Sequence, residues 1–89
     1  MALSIGINSK NNMILVDVRT KEEYENGHID GAINHDIMDM MQGVFPSVKK
    51  DEEITLYCES GNRSMMAKGM MEKIGFKKIT DAGSINNLL

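Results

Sequence analysis

The sequence predicts an α/β domain built on a mostly parallel sheet. Three observations point there. Short runs rich in Ile, Val and Leu alternate with segments of helical spacing. The clearest strand candidate is a continuous apolar run, as expected of a strand covered on both faces. Glycines and capping residues fall at the joints between segments. At roughly 100–200 residues per domain, 89 residues allow one domain, 1–89.

Residues 1–12 are rich in Ser, Asn and Gly and are read as a frayed end. The alternation of Leu3, Ile5 and Ile7 also fits a short edge strand. Residues 13–18 form the first buried strand, running into Asp17-Val18-Arg19. Thr20 and Glu23 then make a capping box, T-x-x-E, opening a short helix that Gly27 stops. Asp30-Gly31 is a turn into a short strand ending near Asn34. Residues 37–41 are apolar at helical spacing and form a second short helix. Pro46 and the charged run 49–53 make a loop.

A second β-rich run covers residues 54–57, and residues 58–64 are polar with a central Gly61. A helix is expected from residue 65 to 74, ended by Gly75. Residues 78–80 read as a brief strand. Gly83 and Ser84 precede a last short helix carrying Ile85, Leu88 and Leu89. The nine methionines are read as core filler, with Met66, Met70 and Met71 on one helix face. Met38, Met40 and Met41 are assigned either to the core or to a site entrance.

Composition removes several classes of function. The net charge is −3, and the pairs Lys49-Lys50 and Lys77-Lys78 are too small for a nucleic-acid surface. One cysteine excludes an internal disulfide, a CxxC pair and a cysteine-rich zinc site. With two histidines, no metal site is expected. No run reaches the ~18 apolar residues of a membrane helix. A single free thiol fits a cytoplasmic protein, and a periplasmic one whose leader had been removed would look the same. A monomer is the default expectation.

The informative stretch is Tyr57-Cys58-Glu59-Ser60-Gly61-Asn62-Arg63-Ser64. A cysteine ends a strand, a short glycine-containing loop follows, and a helix begins. Open α/β sheets bind ligands beyond the carboxyl ends of their strands. A tight loop entering a helix turns backbone N–H groups inward, and the helix dipole adds positive potential. Both lower a thiol pKa, and Arg63 adds a full charge. Gly61 supplies a backbone conformation that residues with a Cβ resist. Glu59 opposes the trend and is expected to point to solvent. A free cysteine is most often a small buried hydrophobe. These polar flanks favour a nucleophile instead. His28 and His35 are read as structural or surface residues rather than as bases. A thiolate held by backbone dipoles requires no base.

These residues carry a family resemblance. Leu15-Val16-Asp17-Val18-Arg19, Glu23-Tyr24, Gly27-His28-Ile29 and Gly31-Ala32-Ile33-Asn34 resemble the first signature of rhodanese-like domains. The Cys58 loop, Gly75-Phe76 and Asp81-Ala82-Gly83-Ser84 resemble the rest, so that most of the chain matches. The likeness is greatest to small single-domain members of the phage-shock-protein-E type. It implies a central parallel sheet with helices on both faces. It also implies thiosulfate sulfurtransferase chemistry through a Cys58 persulfide, without metal or organic cofactor. Glu59, Ser60, Gly61, Asn62, Arg63 and Ser64 would bind the substrate, with Arg63 attracting thiosulfate and the leaving sulfite. Asp17, Arg19, Glu23 and His28 would be structural supports, Arg19 pairing with Glu23 or another carboxylate. Implied partners are thiosulfate or another sulfane-sulfur donor, and cyanide, a thiol or a protein as acceptor. From charge and hydropathy, no nucleic-acid or membrane partner is expected.

Two departures stand out. Glu59 occupies a position where many members carry a basic residue, and His35-Asp36 replaces an aliphatic residue and proline. Two other functions use the same residues. One is a persulfide carrier docking on a protein partner. The other is a phosphatase of the same fold, in which five residues separate cysteine and arginine. Here four separate Cys58 from Arg63, a loop better sized for one sulfur atom than for phosphate.

Overall fold

Period-two alternation along the two central strands decides how the sheet is covered. The computed structural model describes residues 13–89. β1 (Ile14–Asp17) and β3 (Glu53–Cys58) form the middle of a sheet of order β2-β1-β3-β4. β2 is Ile33–Asn34 and β4 is Lys78–Ser84, and every neighbouring pair is parallel. Val16, Ile54, Leu56 and Cys58 face one side, packing with Ile37, Met40, Ala67 and Met71. These come from α2 (Ile37–Met41) and α3 (Asn62–Lys73). Leu15 and Tyr57 face the other side, against Ile29, Ala32, Tyr24, Ile85 and Leu88. These lie in and after α1 (Lys21–Glu25) and in the closing 3-10 turn (Ile85–Leu88). Each face is therefore a hydrophobic layer of its own, and β1 and β3 are buried by both.

The strand order places the site. From β1 the chain steps to β2 on one side, while β3 lies on the other. The carboxyl ends of β1 and β3 thus flank a topological switch point, where such sheets form a ligand crevice. Asp17 pairs in register with Tyr57, so the Asp17-Val18-Arg19 turn and Cys58 emerge side by side.

Most of the expected elements are present: the capping box of Thr20 and Glu23, the short α2 and the strand leading to Cys58. Three expectations are corrected. α3 begins at Asn62, three residues early, for a reason found at the cysteine. β4 runs to Ser84 rather than stopping at residue 80, because a bulge lets Ser84 pair with Cys58. Met66 is 46 % exposed, so of the four α3 methionines only Met71 is fully buried. On α2, Met40 is core, whereas Met38 and Met41 are exposed. The possible strand within residues 1–12 lies outside the described residues.

Candidate active site

Helix α3 lacks an ordinary cap. Its N-cap is Gly61, in the left-handed region at φ +100°, and no side chain of the cap bonds to the first turn. The free N–H groups of a helix start need an acceptor. Cys58 Sγ supplies it. The Gly61 N–H donates to Sγ at 3.0 Å and the Ser64 N–H at 3.3 Å, with the Ser64 hydroxyl 3.5 Å away. The sulfur therefore caps the helix, and this is why helical structure starts as early as Asn62. Gly83 closes the arrangement from β4: its backbone lies in van der Waals contact with the space a Cβ on Gly61 would fill.

Burial pushes the Cys58 thiol up. Hydrogen bonds from the Ser64 hydroxyl and the backbone N–H groups of Ser64, Gly61 and Ser60 outweigh it, leaving the pKa below its usual range. The N-terminal end of the α3 dipole acts in the same direction. Ser64 is fully buried and its hydroxyl can donate to the Gly61 carbonyl, 3.2 Å away. Its one proton can turn from that carbonyl to a thiolate when charge develops on sulfur. Cys58 itself is 0 % exposed. Glu59, Ser60 and Asn62 form the exposed rim above it.

Arg19 finds another carboxylate, one of its expected alternatives, whereas Arg63 departs from the sequence expectation. Arg63 is not a free cation awaiting an anion. Its two terminal nitrogens meet the Glu23 carboxylate at 2.7 and 3.0 Å. The bidentate Arg63 contact, opposed by burial and joined by Thr20, holds Glu23 down to about 2. Thus the capping-box glutamate of α1 also anchors the start of α3. Arg19 pairs not with Glu23 but with Asp17, through Nε and Nη2 at 2.8–3.1 Å. Arg19 also donates to the Gly27 carbonyl and, through Nη1, to Glu59 at 3.0 Å. The Glu59 side chain does not simply face solvent, although it is 57 % exposed. His28 stacks on Tyr24 with ring centroids 3.7 Å apart, and its Nδ1 is 2.7 Å from the Tyr24 carbonyl. Both contacts make it a packing residue.

Two supports escaped the reading of the sequence. The buried Tyr57 hydroxyl accepts from the Ile29 N–H at 3.0 Å. Asn34 donates from Nδ2 to the carbonyls of Asp17 and Arg19, at 3.1 and 2.9 Å. Asn34 ends the Gly31-Ala32-Ile33-Asn34 motif, so its place was visible though its bond was not.

A parallel sheet, a cysteine at its switch point and a loop of N–H groups around sulfur agree with the family comparison. The rhodanese-like domain model matches residues 5–85. The chain belongs to the rhodanese-like domain family. The thiosulfate sulfurtransferase PspE of Escherichia coli is 28 % identical over 74 residues, covering 82 % of this chain and 71 % of PspE. The putative sulfur carrier protein YrkF of Bacillus subtilis is 37 % identical over 73 residues, covering 82 % of this chain and 39 % of YrkF. A probable molybdopterin-synthase adenylyltransferase of Porphyra purpurea is 36 % identical over 75 residues, 83 % of this chain but 20 % of that protein. The domain thus spans a fifth of the Porphyra purpurea relative and about two fifths of YrkF. Among solved structures, an E. coli rhodanese with bound anions superposes with a TM-score of 0.70 at 27 % identity, covering 83 % of this chain and 88 % of that one. The human single-domain sulfurtransferase TSTD1 gives 0.74 at 24 % identity, over 84 % and 79 % of the two chains, and supports the fold. Among the described residues of this rhodanese-like domain, no helix is long and apolar enough to cross a membrane.

Proposed function

We propose that this rhodanese-like domain is a sulfurtransferase that carries sulfane sulfur on Cys58 as a persulfide. The observation that supports it most is the capping of α3 by Sγ, which favours a thiolate at the end of a central strand. With thiosulfate as donor, the thiolate attacks the outer sulfur. The Sγ–S bond forms, the S–S bond of thiosulfate breaks, and its electron pair leaves with sulfite. The persulfide then yields its outer sulfur to cyanide or a thiol, which regenerates the thiolate. The backbone N–H groups of residues 59–64 would cradle the anionic outer sulfur. Arg63, committed to Glu23, shapes this loop rather than gripping the donor.

Transfer to or from a protein partner is the second reading. The similarity to the putative sulfur carrier YrkF favours it, as does the acid Glu59 beside the thiol. A thiocyanate assay with thiosulfate and cyanide separates the two from each other. Turnover that needs Cys58 supports the thiosulfate cycle. Poor turnover alongside rapid loading from a cysteine desulfurase supports the carrier. Hydrolysis of p-nitrophenyl phosphate that depended on Cys58 would overturn both in favour of a phosphatase.

A further inference from the structure

The residue that follows the nucleophile has the wrong charge for a dianionic donor, and the structure shows it doing two things. Glu59 brings its own carboxylate to the rim above Cys58, more than half exposed. It also occupies Nη1 of Arg19, the guanidinium nitrogen that Asp17 and Gly27 leave unused. Arg19 is itself nearly buried and already paired with Asp17, so Glu59 is a second acid on one base. On the other side Glu23 neutralises Arg63. Among the described residues, the ion-paired side chains at this rim are therefore three acids and two bases, an excess of one negative charge.

Thiosulfate carries two negative charges to a thiolate that already bears one. With both arginines paired, the backbone dipoles of the loop carry most of the task of offsetting that repulsion among the described residues. A persulfide whose carrier bears a cationic group beside the sulfur meets the opposite situation. Its cation would face Glu59, and its reacting sulfur would meet the N–H groups of the loop. Given Cys58 as the sulfur carrier, on which this inference rests, we propose that Glu59 is a specificity-determining residue. It selects against dianionic donors and for a persulfide flanked by an ammonium or guanidinium group. In that step the Cys58 thiolate attacks the terminal sulfur of R–S–SH. The new Sγ–S bond forms, the donor's S–S bond breaks with its electron pair leaving on the thiolate RS⁻, and the proton stays on the transferred sulfur. The flanking cation offsets the charge of the departing thiolate.

The test compares rates of persulfide formation on Cys58, followed by intact-protein mass spectrometry. The donors are thiosulfate and the persulfide of cysteamine, whose ammonium group lies two carbons from its sulfur. The proteins are wild type, Glu59→Gln and Glu59→Ala. Glutamine keeps a hydrogen-bond acceptor for Arg19 but loses the charge, whereas alanine also releases Arg19 Nη1. Both changes lie on an exposed side chain, so the fold should persist. The expected result is that Glu59→Gln moves the ratio of the two rates toward thiosulfate by at least about fivefold at low salt, and by less at high salt. Glu59→Ala should move it further. A ratio that moves by less in both variants would overturn the assignment. If neither donor loaded Cys58 in any of the three proteins, the sulfurtransferase function itself would fall, and the role of Glu59 with it.

Discussion

Arg63 grips Glu23 with both ends of its guanidinium, at 2.7 and 3.0 Å, across 40 residues of sequence. The contact fastens the first turn of α1 to the first turn of α3. Since the N–H groups of α3 hold the nucleophilic sulfur, the pair sets where that first turn lies. A salt bridge between residues far apart in the chain is thereby a positioning device for Cys58 chemistry.

Glu23→Gln should loosen this anchor. Its carboxylate is held down to about 2, from a usual 4.5, so in the wild type its contribution to stability is complete above pH 4.5. That contribution is lost as pH falls from 4.5 toward 2. Acid unfolding of wild type and Glu23→Gln, followed by circular dichroism, should therefore converge across this window. Curves that stay parallel through it would show that the pair adds nothing to stability.

Ser64→Ala removes the hydroxyl beside Sγ and leaves the helix N–H groups in place. The Cys58 pKa should rise toward its usual value, because the remaining backbone donors then act alone against burial. The pH profile of alkylation by iodoacetamide reads this directly. Its inflection should lie below the usual thiol range in wild type and move upward in the variant. An unchanged inflection would remove the hydroxyl from the thiolate's support.

Gly61→Ala tests the loop turn. The added Cβ would meet Gly83 Cα at 3.7 Å, an ordinary contact, so the cost is that of a left-handed conformation at φ +100°. A loss of about 1 kcal/mol in urea unfolding is expected. Cys58 loading should slow as well, since strain at residue 61 shifts the N–H that donates to the sulfur.

Tyr57→Phe leaves the buried Ile29 N–H without its hydroxyl acceptor. A destabilisation of about 1–3 kcal/mol is expected. The second-order rate of Cys58 loading should change little, because the ring packs on the face of the sheet opposite to Cys58. A large loss of rate with little loss of stability would place Tyr57 in the site's machinery.

Local chemistry made much of this fold legible. The Thr20 and Glu23 capping box, the apolar run of β1 and the Gly75 stop of α3 each depend on residues a few positions apart. The position of Cys58 at a strand end was visible for the same reason. Ion-pair partners were not. Glu23 could have met either arginine, and only the register of β1 with β3 puts Arg19 on Glu59 and leaves Glu23 to Arg63. The start of α3 was misplaced because its cap is a sulfur from the preceding strand rather than a Ser or Asp in the usual position. The reach of β4 was shortened because Asp81-Ala82-Gly83 has poor strand propensity, and a bulge carries the pairing past it. Met66 was assigned to the core because helical spacing places it near Met70, yet the helix turns it outward.

The measurement that bears most directly on the site is intact-protein mass spectrometry after incubation with sulfane-sulfur donors, with Cys58→Ser alongside. A persulfide on Cys58 predicts a gain of one sulfur, about 32 Da, on the wild type alone, removed by cyanide. Cys58→Ser should remain folded and unmodified, because its alcohol does not ionise near neutral pH. An equal gain on Cys58→Ser, or none on wild type with thiosulfate, cysteamine persulfide or a loaded cysteine desulfurase, would contradict a sulfur-carrying Cys58.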